Sequence, residues 1–164
     1  MTMRIERDDL THPLVHALLR EHLSGMQANS PEGCVQALDL SGLKTPAVTF
    51  WTAWDGDALL GCGALKALDD ENGEIKSMRT AQLHLRRGVA QAILGTVLAE
   101  AARRGYARVS LETGSSPAFG AAQALYARNG FVRCGPFGDY VPNDFSVFMT
   151  RVLPGQGCNP TGER

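Results

Sequence analysis

Glu74-Ile75-Lys76-Ser77-Met78-Arg79-Thr80-Ala81-Gln82-Leu83-His84-Leu85-Arg86-Arg87-Gly88-Val89-Ala90 decides the reading of this chain. A strand over Glu74–Thr80 runs into a short loop, and the loop opens a helix expected over Arg87–Arg104. Val89, Ile93 and Val97 fall on one stripe, with Leu94, Leu98 and Ala101 beside it, the period of an amphipathic helix. Gly105 is placed to end it. A helix start offers free N–H groups and the positive end of the dipole, which together attract an anion. Gly88 lets a phosphate oxygen approach the backbone, and Ala90 keeps the next turn small. Arg86 and Arg87 stand at the helix end where the dipole disfavours cations. A bound anion accounts for them better than the bland alternative of a solvated first turn. The glycine patterns of a P-loop and of a dinucleotide fingerprint are both absent.

Upstream, Met3–Glu6 reads as an edge strand. Leu14, Val15, Leu18, Leu19 and Leu23 lie at helical spacing, with Thr11 as cap and Pro13 in the first turn. Ser30-Pro31-Glu32-Gly33 breaks the chain, and Cys34–Leu43 reads as a second short helix. Val48–Trp54 and Ala58–Leu68 flank the turn signal Asp55-Gly56-Asp57 and form a hairpin, in which Gly61 and Gly63 mark a bulge or close approach. A second turn at Asp69–Gly73 makes Glu74–Thr80 the third strand of a meander. Downstream, Tyr106–Thr113 is a buried strand. Ser116 caps a helix holding Pro117 in its first turn, with Ala118, Ala122 and Leu125 facing inward. Asn129-Gly130-Phe131 stops that helix, and Phe145–Val152 is the last strand. The order is β-α-α, a three-strand meander, then β-α-β-α-β counted from the last strand of that meander. It predicts an α+β fold: a mixed, mostly antiparallel central sheet with helices on both faces.

The chain has 164 residues, enough for one domain to bury a core without disulfides. We expect a single domain over 1–153 and a disordered tail over 154–164. Sixteen Lys+Arg against seventeen Asp+Glu give a net charge of −1, which argues against a general nucleic-acid or membrane-surface binder. The charged start MTMRIERDDL and the absence of a long apolar run predict a cytoplasmic protein.

Cys34, Cys62, Cys134 and Cys158 stand far apart and read as packing residues rather than ligands or nucleophiles. His12 and His16 share a helix face, but no glutamate of an H-E-x-x-H motif separates them, so no metal site is expected. Trp51 and Trp54 read as sheet packing. Tyr126, in Ala121–Phe131, read alone is an amphipathic core residue.

Taken together, Arg86-Arg87-Gly88-Val89-Ala90 before a helix and a strand, then Leu125-Tyr126-Ala127-Arg128-Asn129-Gly130-Phe131, resemble the GNAT superfamily of acyl-CoA-dependent N-acetyltransferases over roughly Ala47 to Val152. Leu85 stands where that family usually has Gln or Arg. The segments GEIKSMRT, LRRGVA and GPFGDYVPNDFSVFM are similar to a bacterial subgroup of uncharacterised acetyltransferases.

The resemblance implies the GNAT-like acyl-CoA N-acyltransferase fold, with acetyl-CoA as cosubstrate and no metal. The main chain of Met78, Arg79 and Thr80 would hold the pantetheine arm, and Arg86, Arg87, Gly88, Val89 and Ala90 the pyrophosphate. Tyr126 would be the general acid. Glu74 is the first choice of base against a bland surface role, and Glu112 the second. Asp139 and Tyr140 are candidates for the acceptor pocket. The acceptor would be a small-molecule amine or an amino group of a larger molecule, and a homodimer through the C-terminal strands is compatible with this plan. The alternative function is a non-catalytic acyl-CoA sensor or interaction module on the same fold.

Overall fold

Side chains on successive strand residues point to opposite faces, and β2 (Val48–Asp55) sorts its residues between two cores in this way. Trp51 and Ala53 join one core, Phe50 and Trp54 the other. The computed structural model describes residues 2–28 and 40–154, with the backbone alone for 25–28. β1 (Arg4–Arg7), β2, β3 (Ala58–Ala67) and β4 (Asn72–Thr80) pair antiparallel in sequence order. β5 (Arg108–Gly114) lies beside β4, followed across the sheet by β7 (Ser146–Val152) and β6 (Val132–Cys134). β4 and β5 are the one parallel pair in this sheet. Parallel neighbours need a crossover, and α3 (Val89–Arg103) supplies it.

The expected mixed sheet with helices on both faces is what forms. Val89, Ile93, Leu94, Val97 and Ala101 of α3 are buried against one face, together with Tyr126 of α4 (Gly120–Arg128). Burying each large apolar side chain is worth roughly 1.5–3 kcal/mol, so α3 is anchored along its whole length. On the other face, α1 (Pro13–Ala28) and α2 (Leu40–Leu43) cover β2 and β3 with Val15, Leu18 and Leu43. Gly61 and Gly63 make the approach of α3 possible. A Cβ at Gly61 would stand 2.9 Å from Val89 Cγ1, and one at Gly63 would stand 2.7 Å from Ile93 Cγ2. The register shifts near both glycines, as expected of bulges.

Several boundaries differ from the sequence reading. α3 begins at Val89, because Gly88 is left-handed (φ 78) and serves as the N-cap. The first helix is capped by His12, whose Nδ1 accepts from the Leu14 N–H at 3.0 Å, while the Thr11 hydroxyl donates to Asp9 instead. Leu14 and Leu23 are exposed. Pro117–Phe119 is a single 3-10 turn before α4 and leaves Ala118 exposed rather than inward. β5 starts at Arg108, since the Tyr106 N–H is spent closing α3 on the Ala101 carbonyl. β6 was not anticipated. Of the expected helix over Cys34–Leu43 only Leu40–Leu43 is described; Cys34, Cys158 and the tail beyond Pro154 lie outside the described residues. No described helix is long and apolar enough to cross a membrane.

Candidate active site

β4 and β5 pair only from Asn72↔Arg108 to Ile75↔Leu111. Beyond that point β4 continues to Thr80 and β5 to Gly114, without further pairing to each other. On its far side β4 keeps β3 as partner, through Lys76↔Ala64, Arg79↔Cys62 and Thr80↔Gly61. The gap therefore opens within the sheet, and the main chain of Lys76–Thr80 presents to it an edge that β5 does not pair. Such an edge is a template for another extended chain. A bulge accompanies the parting. Ser77 is left-handed (φ 55), and Cys62 donates its thiol to the Ser77 carbonyl at 3.3 Å. Bulges strengthen local twist, which turns β4 away from β5.

The same strand leads to the start of α3. Arg86 (φ 65) and Gly88 (φ 78) are both left-handed, and Leu85–Gly88 are exposed. Among the described residues no side chain caps the helix, and its first turn carries no acidic residue. The amides of Val89, Ala90 and Gln91 donate to no group among the described residues, while the Ala92 N–H makes the first helical bond, to the Gly88 carbonyl at 3.0 Å. Among the described residues Arg87 reaches only the His84 ring, at 3.4 Å. Open N–H groups, the helix dipole and the exposed residues Arg86 and Arg87 meet at one helix start, which suits a multivalent anion.

Tyr126 lies on the α3 side of the sheet, buried and edge-on to Phe131 at 5.6 Å. Its hydroxyl makes no hydrogen bond among the described residues, and burial raises its pKa well above the ordinary phenol range. The Phe131 N–H bonds the Tyr126 carbonyl, with Gly130 left-handed (φ 87), so the Asn129–Phe131 stop fixes the helix end that carries the tyrosine.

The carboxylates occupy the opposite face. Glu74 Oε2 accepts from the Tyr140 hydroxyl at 2.5 Å and from Lys76 Nζ at 3.0 Å. Glu74 and Lys76 are both nearly closed to solvent, at 4% and 8% side-chain exposure. Burial, reinforced by the bond to Glu74, pushes the Tyr140 hydroxyl above its ordinary range. Glu112 is half-buried; its Oε2 accepts from Ser146 Oγ at 2.7 Å, and desolvation raises its pKa.

The structure thus gathers Glu74, Glu112 and Tyr140 beside the gap and leaves Asp139 exposed on the loop. Met78 packs toward the α3 core, and Arg79 bonds Glu21 of α1 at 2.9 Å. Sequence reasoning missed Lys76 and Ser146. Strand alternation could have found Lys76, since it shares a face with Glu74. Ser146 carries no such signal.

The remaining candidates have structural employment. Cys62 is buried, its thiol pushed up to about 12 by desolvation, so it is a poor nucleophile. His16 Nε2 bonds the Leu10 carbonyl at 2.6 Å, and the His12 ring lies edge-on to Trp54. Trp51 and Trp54 are core residues. Among the described residues no group of three His, Cys, Asp or Glu could hold a metal.

Comparison with known proteins agrees with this architecture. The acetyltransferase (GNAT) family model matches residues 15–131. A Bacillus subtilis protein, the uncharacterized N-acetyltransferase YsnE, is 52% identical over 151 residues, covering 92% of this chain and 100% of that one. The Escherichia coli counterpart YedL is 50% identical over 149 residues, covering 91% and 94%. Among solved structures, a Klebsiella pneumoniae protein described as an acyl-CoA N-acyltransferase superposes with a TM-score of 0.74 at 27% identity, covering 93% of this chain and 98% of its own. With half its residues shared with two N-acetyltransferases over nearly their full lengths, the chain belongs to the GNAT family of acetyltransferases.

Proposed function

We propose that this acetyltransferase moves an acetyl group from acetyl-CoA to a primary amine by direct attack, within one domain spanning residues 1–153. One observation carries the reading. The β4 edge that β5 does not pair leads, through the 3-10 turn Gln82–His84, to the open amides of α3. An extended arm carrying amides at one end and a diphosphate at the other would suit these two features together. Met78, Arg79 and Thr80 would bond the pantetheine amides, and Arg86–Ala90 the pyrophosphate.

In the reaction, the ammonium of the acceptor loses a proton to Glu74, directly or through a water, since a protonated amine has no lone pair. The amine nitrogen then bonds the thioester carbon, and charge develops on the carbonyl oxygen, where a β4 N–H is suited to receive it. Collapse breaks the C–S bond, Tyr126 gives its proton to the departing thiolate, and the proton shed by the new amide nitrogen restores the phenol. Burial keeps Tyr126 protonated at neutral pH. The same desolvation penalises a thiolate, so transfer between two buried groups is nearer balance than in water. Glu112 is the second carboxylate on the acceptor side. The exposed edge strand β6 offers a homodimer a pairing surface.

Thermal unfolding with acetyl-CoA, followed by thiol release from four amines (phenethylamine, 1,4-diaminobutane, glycinamide and a lysine-ended peptide), tests the reading. Acetyl-CoA should raise the Tm, and Tyr126→Phe should lower kcat about 100-fold while leaving that Tm shift in place. No shift at millimolar acetyl-CoA contradicts the proposal. A shift without thiol release favours the non-catalytic acyl-CoA module instead.

A further inference from the structure

Lys76 is the first residue of β4 past the last pair with β5, and it is buried there as a cation. Its Nζ stands 3.0 Å from Glu74 Oε2 and 2.9 Å from the Tyr140 oxygen, and the ammonium lies 5.5 Å from the centre of the Tyr140 ring. Tyr140 in turn donates to the same Glu74 oxygen. Two donors from separate elements thus converge on Oε2, while Oε1 has no partner among the described residues. Tyr140 is not free to swing away. Its ring is edge-on to Phe137 at 5.1 Å and tilted against Phe148 at 5.5 Å.

A buried ion pair is a weak source of stability, because desolvation consumes most of its Coulomb gain. The energetic sense of this one lies elsewhere. The geometry points to Lys76 and Tyr140 as positioning residues for Glu74, which grip Oε2 and leave Oε1 to take the proton of the acceptor amine. The inference rests on Glu74 acting as the base. Across the gap Glu112 shows a parallel arrangement, with Oε2 held by Ser146. Two carboxyl groups against one lysine flank this side of the gap, which suits an acceptor that arrives as an ammonium.

A double-mutant cycle decides it, with acetyl-CoA and whichever of the four amines above releases thiol fastest. Lys76→Met should lower kcat about tenfold with KM for acetyl-CoA nearly unchanged, and Tyr140→Phe about threefold, the size of effect expected from a loosened catalytic group. In a Glu74→Gln background neither change should cost more, because both act through Glu74. Equal losses in both backgrounds, or a rise in KM for acetyl-CoA in place of the fall in kcat, would overturn the clamp while leaving the base assignment intact. Full activity in Glu74→Gln alone, or no thiol from any amine, would remove the base reading first and the clamp with it. Should Lys76→Met fail to fold, the Tyr140→Phe cycle decides alone, since loss of one hydroxyl preserves the ring packing.

Discussion

The two ends of α3 are finished in opposite ways. At the C-terminal end the chain supplies partners of its own. Glu100 accepts from Arg103 Nε at 2.9 Å and Arg104 Nε at 2.7 Å, and also pairs with Arg7 of β1. Arg104 goes on to Thr49 of β2, and the Gly105 and Tyr106 amides close on helix carbonyls. The cations there match the negative end of the dipole. At the N-terminal end none of this is present. Gly88 turns the chain, three amides have no partner among the described residues, and the charges nearby are arginines that oppose the dipole. A helix completed at one end and left open at the other, beside the gap in the sheet, supports the proposed role of its start as an anion site.

Charge reversal at the open end breaks this contrast most strongly. Arg87→Glu should weaken acetyl-CoA about 100-fold, roughly the loss of one or two charge-assisted hydrogen bonds. The same change should leave the unliganded protein as stable or slightly more so, because an acid suits a helix start; titration calorimetry and unfolding scans read the two arms. Glu100→Ala at the closed end should do the reverse. It should cost about 1–2 kcal/mol of stability, through three arginines losing their shared partner, and leave acetyl-CoA affinity unchanged.

That second effect carries a pH signature. Hydrogen bonds from Arg103, then Arg104, hold the Glu100 carboxyl down to about 2. A lowered carboxylate pKa contributes stability above its unfolded value, lost as pH falls toward the folded value. Denaturant curves of wild type and Glu100→Ala should therefore converge between pH 4.5 and about 2.

The smallest and best-matched pair is Gly88→Ala against Gly105→Ala. Both glycines sit at φ 78, and a Cβ at either meets nothing within 4 Å. Each substitution should cost about 1 kcal/mol of backbone strain. Only Gly88→Ala should also weaken acetyl-CoA, because its methyl group would stand in the path of an anion bound as proposed.

Local signals carried six of the seven strands and the long helices α1 and α3. Alternation in Val48–Trp54, the Asp55–Asp57 turn and the apolar stripe of α3 each reflect burial that the residue itself announces. The loop-and-helix-start residues Arg86–Ala90 were legible for the same reason, since arginines at the wrong end of a dipole violate a local rule. What escaped depended on contacts far along the chain. Lys76 meets Tyr140 across 64 positions, and Ser146 meets Glu112 across 34. The parting of β4 from β5 is a property of register and bulge, which no spacing in Glu74–Thr80 expresses. β6 is held as three residues against β7, too short for a periodic pattern. His12 displaced Thr11 as cap because Asp9 claimed the threonine first.

One spectrum sees both ends of α3 together. In a 15N–1H correlation experiment on the backbone-assigned protein, saturating acetyl-CoA should move the amides of Gly88, Val89, Ala90 and Gln91 downfield, as new hydrogen bonds to an anion form. The amides of Arg104, Gly105 and Tyr106 should stay in place. Shifts at the closed end with none at the open end, or no change at either, would contradict the account.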